Sequence, residues 1–460
     1  MLFNELNLPE EILRAVEDMG FSEATEIQSK AIPVMLEGKD LVGKSNTGTG
    51  KTAAFGIPAA VSVTRGGKNG VEVLILCPTR ELAMQACKEI EKFSAYMPWV
   101  KPCAVYGGAA MDKQISELRR GANIVVGTPG RVMDHIGRKT LKLENLRTIV
   151  LDEADEMLNM GFREDIETIL SFVPEERQTV LFSATMPPPI MAITKEYQND
   201  PVVIKVESKA RTVDTIEQKY FEVPMGRKTD ALKLLLIAYE PKLSMVFCNT
   251  KKMVDELTEA LVSKGFKAAG LHGDMKQASR TQVLSAFKSG SINVLIATDV
   301  AARGIDVEGV DCVFNYDLPQ DNEYYIHRIG RTGRAGKSGA AYTIISGRKQ
   351  FYELKNIASF IKADIARAEL PGRDEIVARK AAHVNEKILS AVESGKYESC
   401  RADVQKLMES GLSAEDIAVA LLGMRLSKDT KNIPEIISVP RDNGGKGGSS
   451  SGSTAGTSWY

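Results

Sequence analysis

The stretch 148-TIVLDEAD-155 joins a short apolar run to a group of acids. Residues 148–151 are β-branched or apolar, and Asp152, Glu153 and Asp155 follow at once. Continuous apolar runs of this length, ending in polar residues, are typical of strands buried in a parallel sheet. Ligands of such sheets bind at the carboxyl ends of the strands. The three acids are therefore candidates for a functional site.

The same pattern recurs along the chain with helical patterns between the runs. The other runs are VEVLIL (71–76), NIVVG (123–127), TVLFS (179–183), SMVFCNT (244–250), NVLIATD (293–299), DCVFNYD (311–317) and AAYTIIS (340–346). They pause near 202-VVIKVESKARTVDT-215, where charged and small residues replace the apolar run. Strands that alternate with helices in this way predict an α/β fold with two tandem, doubly wound parallel-sheet domains.

Changes in composition predict the domain boundaries. We expect a first domain over 1–206, a linker over 207–213, a second domain over 214–370, a small helical region over 371–430 and a flexible Gly/Ser-rich tail over 431–460. Within the helical region one apolar stripe is formed by Val377, Ala381, Val384, Ile388 and Ala391. A further helix is expected after Ser413, a plausible N-cap.

Composition excludes several classes of protein. The 460 residues contain no run of eighteen apolar residues, so we expect no membrane span. The start, MLFNELNLPEEIL, lacks the features of a secretory signal. Six cysteines without a CxxC pair indicate reduced thiols in a cytoplasmic protein and no zinc site. The net charge of −1 neither supports nor excludes a nucleic-acid partner.

The segment 45-SNTGTGKT-52 approximates the phosphate-loop pattern G-x-x-x-x-G-K-[ST], with Ser45 at the first glycine position. Small residues let backbone N–H groups approach phosphates, and the first position tolerates serine because it precedes the wrap. In this interpretation Lys51 meets the phosphates and Thr52 meets a magnesium ion. Taken alone, the segment is equally a polar turn before a helix.

The acids at the strand end supply a metal ligand and a group that activates water, which a phosphate loop does not contain. Asp152 is placed for the magnesium ion, and Glu153 can orient or deprotonate a water molecule. The alternative is that both acids only stabilise the first turn of the following helix. Because the loop and the acids occur together, we favour the nucleotide site.

A basic segment, 327-HRIGRTGRAGK-337, contains three arginines and a lysine and no acid. Such runs are usually solvated faces. A Gly-broken segment in the second domain could instead supply an arginine to the site across a cleft, which is worth about a thousandfold or more in rate. Hydrolysis would then require the two domains to close.

The ordered motifs resemble those of the DEAD-box RNA helicases of superfamily 2 over about residues 3–350. The first domain carries GFSEATEIQ (20–28), SNTGTGKT, PTRELA (78–83), Gly107-Gly108, TPGR (128–131), DEAD (152–155) and SAT (183–185). The second carries MVFCNT, the Gln277–Arg280 pair, ATDVAARGID and HRIGRTGRAG. The resemblance implies RecA-like domains and an RNA-dependent ATPase and helicase that uses ATP and Mg²⁺.

The resemblance also implies a role for each matching residue. Nucleotide contacts would come from Phe3, Gln28, Ser45, Thr47, Gly48, Thr49, Gly50, Lys51, Thr52 and Asp306. Catalysis would rest on Lys51, Asp152, Glu153, Arg331 and Arg334, with Thr52 and Asp152 at the metal. Coupling between the domains would use Asp155, Ser183, Thr185 and His327. RNA backbone contacts would come from Arg80, Gly108, Thr128, Arg131, Gly273, Arg280 and Thr298. From sequence alone Phe3 is equally a core anchor for the first helix.

The implied activity is local unwinding of short RNA duplexes and remodelling of RNA or RNA–protein complexes, in ribosome assembly, RNA decay or cold adaptation. The alternatives are an ATP-gated RNA clamp with slow turnover, a DNA-directed helicase of the same superfamily, and a small-molecule kinase. The second domain argues against a kinase. Residues 373–426 resemble the dimerisation region of bacterial cold-shock-type DEAD-box helicases. We favour a homodimer over the alternative, that these helices pack on the second domain.

Overall fold

The computed structural model describes residues 1–45, 49–66, 70–206, 216–303, 305, 307, 309–333, 338–395 and 397–430. Within these residues the chain forms two parallel sheets of seven strands each, flanked by helices. The predicted α/β fold with two tandem doubly wound domains is therefore confirmed. Each of the eight apolar runs singled out in the sequence contains a strand.

The strands of the first domain are β1 (Leu41–Lys44), β2 (Val73–Leu76), β3 (Pro102–Val105), β4 (Ile124–Gly127), β5 (Thr148–Leu151), β6 (Gln178–Ser183) and β7 (Val202–Lys205). A 3₁₀ turn at Phe3–Leu6 precedes α1 (Glu10–Asp18), α2 (Glu26–Leu36), α3 (Lys51–Ser62), α4 (Arg80–Phe93), α5 (Met111–Arg119), α6 (Pro129–Gly137), α7 (Ala154–Asn159), α8 (Arg163–Phe172) and α9 (Pro188–Tyr197). The strand order is β3-β4-β2-β5-β6-β1-β7.

The strands of the second domain are β8 (Ile216–Glu222), β9 (Ser244–Phe247), β10 (Ala268–Leu271), β11 (Val294–Ala297), β12 (Cys312–Asn315), β13 (Gly339–Ile345) and β14 (Ala366–Ala368). Its helices are α10 (Lys228–Tyr239), α11 (Lys251–Val262), α12 (Gln277–Lys288), α13 (Asp299–Ala302), α14 (Asn322–Ile329) and α15 (Gly347–Ile361). The strand order, β10-β11-β9-β12-β13-β8-β14, repeats that of the first domain position by position.

Alternation along the central strands builds a core on both faces of each sheet. In β2, Val73 and Ile75 join the apolar cluster on one face, whereas Leu74 and Leu76 join the cluster on the other. All four side chains are fully buried. Successive side chains of a strand point to opposite faces, so a strand covered by helices on both sides must be apolar throughout. This explains the uninterrupted apolar runs in the sequence.

The C-terminal region consists of α16 (Arg373–Glu393), a 3₁₀ turn at Glu398–Cys400, α17 (Arg401–Glu409) and α18 (Ala414–Thr430). The predicted N-cap is confirmed, because Ser413 Oγ accepts the Asp416 N–H at 3.0 Å. The start of α16 packs on the second domain through the buried Ile376 and the ion pair of Lys380 with Glu240 (3.2 Å). The predicted linker over 207–213 and tail over 431–460 lie outside the described residues. Among the helices that the structure describes, none is long and apolar enough to cross a membrane.

Candidate functional site at the cleft between the sheets

The two halves of the predicted nucleotide site meet at the carboxyl edge of the first sheet. Lys51 is the first residue of α3, and Asp152 follows the last residue of β5. Both side chains are buried, and Lys51 Nζ lies 3.9 Å from Asp152 Oδ1. The N-terminus of α3 carries unpaired backbone N–H groups and the positive end of the helix dipole, which favour a bound anion.

The chain enters α3 through a left-handed Gly50, with φ of 92°. A Cβ atom here would lie 2.4 Å from Gln28 Nε2, so this position requires glycine. Gln28 Nε2 donates to the Gly50 carbonyl oxygen at 3.1 Å, and Gln28 Oε1 accepts from the Thr25 N–H at 2.9 Å. Gln28 therefore holds the end of the loop against α2.

Glu153 has a strained backbone. Its φ of 50° and ψ of 51° place it in the left-handed region, which costs a residue with a side chain about 1–3 kcal/mol. This conformation turns the chain sharply from β5 into α7, and it leaves the Glu153 side chain at the cavity that Lys51 also lines. Strain of this kind is concentrated at functional sites.

A cavity of about 370 Å³ lies between the domains. Gln28, Gly50, Lys51, Thr52, Asp152 and Glu153 line it from the first domain, and Ile305 and Arg331 from the second. Phe21, which is 44% exposed, also lines the cavity. The volume is within the range of cofactor pockets.

The structure does not support the prediction that Phe3 stacks on the base. Phe3 is only 4% exposed and belongs to the apolar core around α1 and α2, so its ring is not presented to the cavity. The alternative, a core anchor for the first helix, describes its position. Two other aromatic residues line the cavity, the buried Phe93 and the exposed Phe21, and neither was singled out in the sequence.

The residues present fit a magnesium ion. Asp152 Oδ1 is buried without a hydrogen-bond partner, and Thr52 lines the same cavity. Burial raises the pKa of Asp152 above its usual range, and the Lys51 ammonium opposes that shift only in part. A divalent cation next to Asp152 would compensate the buried carboxylate. Mg²⁺ commonly binds through one or two protein oxygens and the phosphates of a substrate.

Arg331 reaches the cavity from the second domain. Its Nη1 donates to the Ile305 carbonyl oxygen at 2.9 Å and its Nε to that of His327 at 3.3 Å. It lines the cavity together with Lys51 and Glu153, as the cross-cleft prediction requires.

Four other predicted site residues, Thr47, Gly48, Asp306 and Arg334, lie outside the described residues. Ser45 is buried at the end of β1, and Thr49 Oγ1 donates to its Oγ at 3.4 Å.

Three of the four predicted coupling residues lie together. Asp155 Oδ2 accepts from the Thr185 N–H at 2.8 Å and from Thr185 Oγ1 at 2.9 Å. Ser183 Oγ accepts the Asp155 N–H at 3.3 Å and donates to the Thr185 carbonyl oxygen at 2.7 Å. These bonds fasten the start of α7 to the end of β6 within the first domain.

The fourth coupling residue, His327, contacts Glu156 rather than Asp155. His327 Nδ1 lies 3.3 Å from Glu156 Oε1, and Arg303 forms an ion pair with the same carboxylate. The contact between the domains therefore uses the residue after the DEAD sequence. Sequence analysis missed both Glu156 and Arg303. The signal available in the sequence was position: Glu156 directly follows DEAD (152–155), and Arg303 lies within ATDVAARGID.

The predicted RNA contacts of the first domain form one surface. Arg80 begins α4 and packs on the loop at Gly108, where a Cβ atom would lie 2.4 Å from Arg80 Nη1. Thr128 is the N-cap of α6, and Arg131 Nη1 donates to the Ala109 carbonyl oxygen at 3.2 Å. These residues follow β2, β3 and β4, which are neighbours in the sheet.

The second-domain set faces this surface. Gly273 follows β10, Arg280 lies in α12, and Thr298 caps α13. Arg280 is buried; its Nε and Nη2 donate to Glu81 Oε1 at 3.0 and 2.7 Å. Arg80 Nη1 donates in return to Gln277 Oε1 at 3.2 Å. The described bonds of Arg280 thus hold the domains together, and its contact with RNA stays a prediction.

Three family models match the chain. They are the DEAD/DEAH box helicase over residues 25–193, the helicase conserved C-terminal domain over 227–336 and the RNA helicase DeaD dimerization domain over 371–436. The solved structure of S. cerevisiae Dbp5 bound to RNA and ADP BeF3 is similar, with a TM-score of 0.74 and 32% identity over 82% of this chain and 97% of that one.

Curated relatives are similar over nearly the whole chain. The DEAD-box ATP-dependent RNA helicase CshA of Geobacillus kaustophilus is 47% identical over 428 residues, which cover 93% of this chain and 91% of that protein. The ATP-dependent RNA helicase CshA of Listeria monocytogenes is 48% identical over 446 residues, which cover 97% of this chain and 85% of that protein. The chain therefore belongs to the DEAD-box family of ATP-dependent RNA helicases.

Proposed function

We propose that the chain hydrolyses ATP in the cleft when RNA is bound, and that closure of the cleft locally separates short RNA duplexes. The observation that carries the proposal is the shared cavity. Lys51, Asp152 and Glu153 line it from the first domain and Arg331 from the second. A site assembled from two domains is complete only when they are closed, so hydrolysis is tied to closure.

Each side chain has a chemical task in this proposal. Lys51 and the N-terminus of α3 bind phosphate oxygens. Glu153 orients the attacking water and accepts its proton, and Arg331 stabilises the charge that develops on the transferred phosphoryl group. When bound, Mg²⁺ at Asp152 and Thr52 would neutralise charge on the phosphate oxygens. In this proposal Gln28 and Phe21, which both line the cavity, contact the base.

Closure also joins the two predicted RNA surfaces, because Arg80 and Arg280 each bond to the opposite domain. Contacts to the sugar–phosphate backbone are independent of sequence and sensitive to salt. Bending one strand out of a duplex sacrifices stacking at about 1.4 kcal/mol per step, on DNA figures. A full population switch between open and closed forms takes only about 5.5 kcal/mol of differential binding. We therefore expect unwinding to be limited to short duplexes.

RNA is expected to stimulate ATP hydrolysis strongly, whereas DNA of the same sequence is not. The physical reason is that 2′-hydroxyl contacts and A-form geometry distinguish the two polymers. The measurement is the steady-state rate of phosphate release with no polymer, with single-stranded RNA and with matched DNA. Equal stimulation by both would favour the DNA-directed alternative. Slow turnover with tight, ATP-dependent RNA binding would favour the clamp.

We further propose that the C-terminal helices form a homodimer. α16 and α18 expose large apolar side chains, including Leu389, Val392 (74% exposed) and Met424. Clustered exposed apolar residues mark interaction surfaces. The match to the dimerization model over residues 371–436 supports the same assignment.

Replacing Leu389 and Val392 by glutamate is expected to convert the dimer to a monomer, because two charges would be buried unpaired at the interface. Mass measurement in solution, by sedimentation or light scattering, checks this. Met225→Glu is the control, since Met225 is a highly exposed apolar residue of the second domain outside these helices. A wild-type chain that is monomeric at micromolar concentration would contradict the proposal.

The cellular roles stay proposals as well. Ribosome assembly, RNA decay and adaptation to low temperature all require remodelling of short RNA helices, which the proposed activity supplies. A cytoplasmic location, indicated by the cysteine usage, is part of the same proposal.

A further inference from the structure

A buried glutamine lies beneath the predicted RNA surface of the first domain. Gln114 is 3% exposed, although the residues on either side of it in α5 are partly or fully exposed. Its side chain makes hydrogen bonds in two directions. Nε2 donates to the Tyr106 carbonyl oxygen at 3.0 Å, and Oε1 accepts from Arg131 Nη1 at 3.1 Å.

A buried histidine completes the network. His135 Nε2 lies 3.0 Å from Gln114 Oε1, and His135 Nδ1 lies 2.8 Å from Thr140 Oγ1. Because Gln114 Nε2 is committed to a carbonyl oxygen, Oε1 must accept from both Arg131 and His135. This fixes the proton on His135 Nε2. Burial, followed by the nearby Arg131 charge, lowers the pKa of His135, which is consistent with a neutral ring.

The loop at 106–110 depends on these bonds. It carries Gly108, and its carbonyl oxygens at Tyr106 and Ala109 accept from Gln114 and Arg131. Ala109 and Ala110 border an open cavity of about 470 Å³, which Gln114 also lines. The loop therefore has little packing on that side, and hydrogen bonds rather than apolar contacts fix its position relative to the sheet.

We propose that Gln114 is a positioning residue for RNA binding: through its amide it fixes both the Arg131 guanidinium and the loop that carries Gly108. The inference rests on the proposed function, in which Arg131 and Gly108 contact the RNA backbone. Nothing in the motifs identified this residue. Its role follows from where α5 places it, between the end of β3 and the start of α6.

A purely structural role for Gln114 would have a different signature. It would lower the stability of the first domain and leave RNA affinity unchanged in the folded fraction. A positioning role changes the RNA concentration that half-saturates ATP hydrolysis, while kcat at saturating RNA stays within about twofold, because a lost ground-state contact raises KM alone.

The test compares ATP hydrolysis as a function of RNA concentration for the full-length wild type, Gln114→Leu, Arg131→Ala and the double variant. We expect Gln114→Leu to raise the half-saturating RNA concentration about tenfold, the equivalent of one charge-assisted hydrogen bond. The slope of log affinity against log salt concentration should decrease in magnitude by about 1, the value for one lost phosphate contact, as for Arg131→Ala. The double variant should bind RNA less weakly than the two single effects multiplied together, because both changes remove the Arg131 contact and only the bond to the Tyr106 carbonyl oxygen is lost in addition.

The matched control is Gln178→Leu. Gln178 is another buried glutamine of the first domain, and its Nε2 donates to the carbonyl oxygens of Met35 and Lys39 at 3.0 and 2.7 Å. It is the first residue of β6 and so lies at the amino end of that strand, whereas the predicted RNA contacts of this domain follow the carboxyl ends of β2, β3 and β4. Its substitution should lower thermal stability without changing the half-saturating RNA concentration. If Gln114→Leu does not fold, Gln114→Glu keeps the acceptor for Arg131 and loses the donor to Tyr106, so the half-saturating concentration should still rise.

The outcomes distinguish failure of the proposed function from failure of the positioning role of Gln114. If RNA does not stimulate the wild type, the proposed function fails. If RNA stimulates the wild type and Arg131→Ala weakens RNA binding, but Gln114→Leu and Gln178→Leu both leave it unchanged, the positioning role alone is refuted.

Discussion

Glu153→Gln is expected to lower RNA-stimulated ATP hydrolysis by about 10²–10⁴-fold, the usual contribution of a general base. The amide has nearly the same shape as the carboxylate but cannot accept the proton of the attacking water. ATP and RNA should still bind, because Lys51 and the RNA surface are unchanged. Single-turnover phosphate release at saturating RNA measures the effect on the chemical step, and equilibrium RNA binding in the presence of ATP measures closure.

Glu89→Gln is the matched control. Glu89 lines the same cavity from α4, where its Oε1 accepts from Gln85 Nε2 at 3.0 Å, and the substitution has the same size and charge change. Its rate should stay within about twofold of the wild type, since it is not placed to accept a proton from the reacting water. A Glu153→Gln protein that retains most of its hydrolysis would show that another group activates the water.

Arg328→Met is expected to destabilise the second domain by about 3–5 kcal/mol, the cost of leaving a buried charge without its partner. Arg328 is 1% exposed. Its Nε and Nη2 donate to the two carboxylate oxygens of Asp299 at 2.6 and 2.7 Å, and Nη1 donates to the Asp317 carbonyl oxygen at 2.6 Å. Nη2 also donates to Asn249 Oδ1 at 2.9 Å. One side chain thus joins the carboxyl ends of β9, β11 and β12.

The free energy of unfolding, from chemical denaturation of the full chain, measures the effect. Arg367→Met is the control, because Arg367 forms an ion pair with Glu222 at 3.2 Å in the same domain but is one-third exposed. A partly exposed pair contributes only about 0–1 kcal/mol. Since Arg328 anchors α14, the loss should also displace His327 and Arg331 and reduce hydrolysis. Equal destabilisation by both variants would contradict the central role of Arg328.

The central strands could be predicted from sequence because burial on both faces leaves a continuous apolar run. The remaining strands had weaker signals. β10 (Ala268–Leu271) is built of small residues, and β3 (Pro102–Val105) begins with proline. Both are edge strands, which bury less and need fewer β-branched side chains. Their place in the sheet is set by pairing with a neighbour distant in sequence, which no local pattern records.

The residues of the candidate site also fall into those that a local sequence pattern identifies and those that only the fold identifies. Lys51, Asp152 and Glu153 lie within short motifs whose chemistry is readable from adjacent residues. Glu156 acts through partners in the other domain, and Gln114 through partners 8 to 21 residues away on other elements, so both roles emerge only when folding brings the partners together. The prediction that Phe3 stacks on the base came from a local pattern that burial overrides. An aromatic residue near a motif suits either a binding site or a core, and burial decides between them.

The matching strand orders of the two sheets allow the same position to be compared in both domains. Lys228 begins α10 after β8 as Lys51 begins α3 after β1. Lys228 Nζ lies 3.8 Å from Asp317, which follows β12, the counterpart of β5. In the second domain, however, the ammonium donates to the Tyr316 carbonyl oxygen at 2.9 Å. The same position of one topology therefore carries different tasks: Lys51 lines the cavity between the domains, whereas Lys228 is held inside its own domain, which contributes Arg331 to the cavity instead.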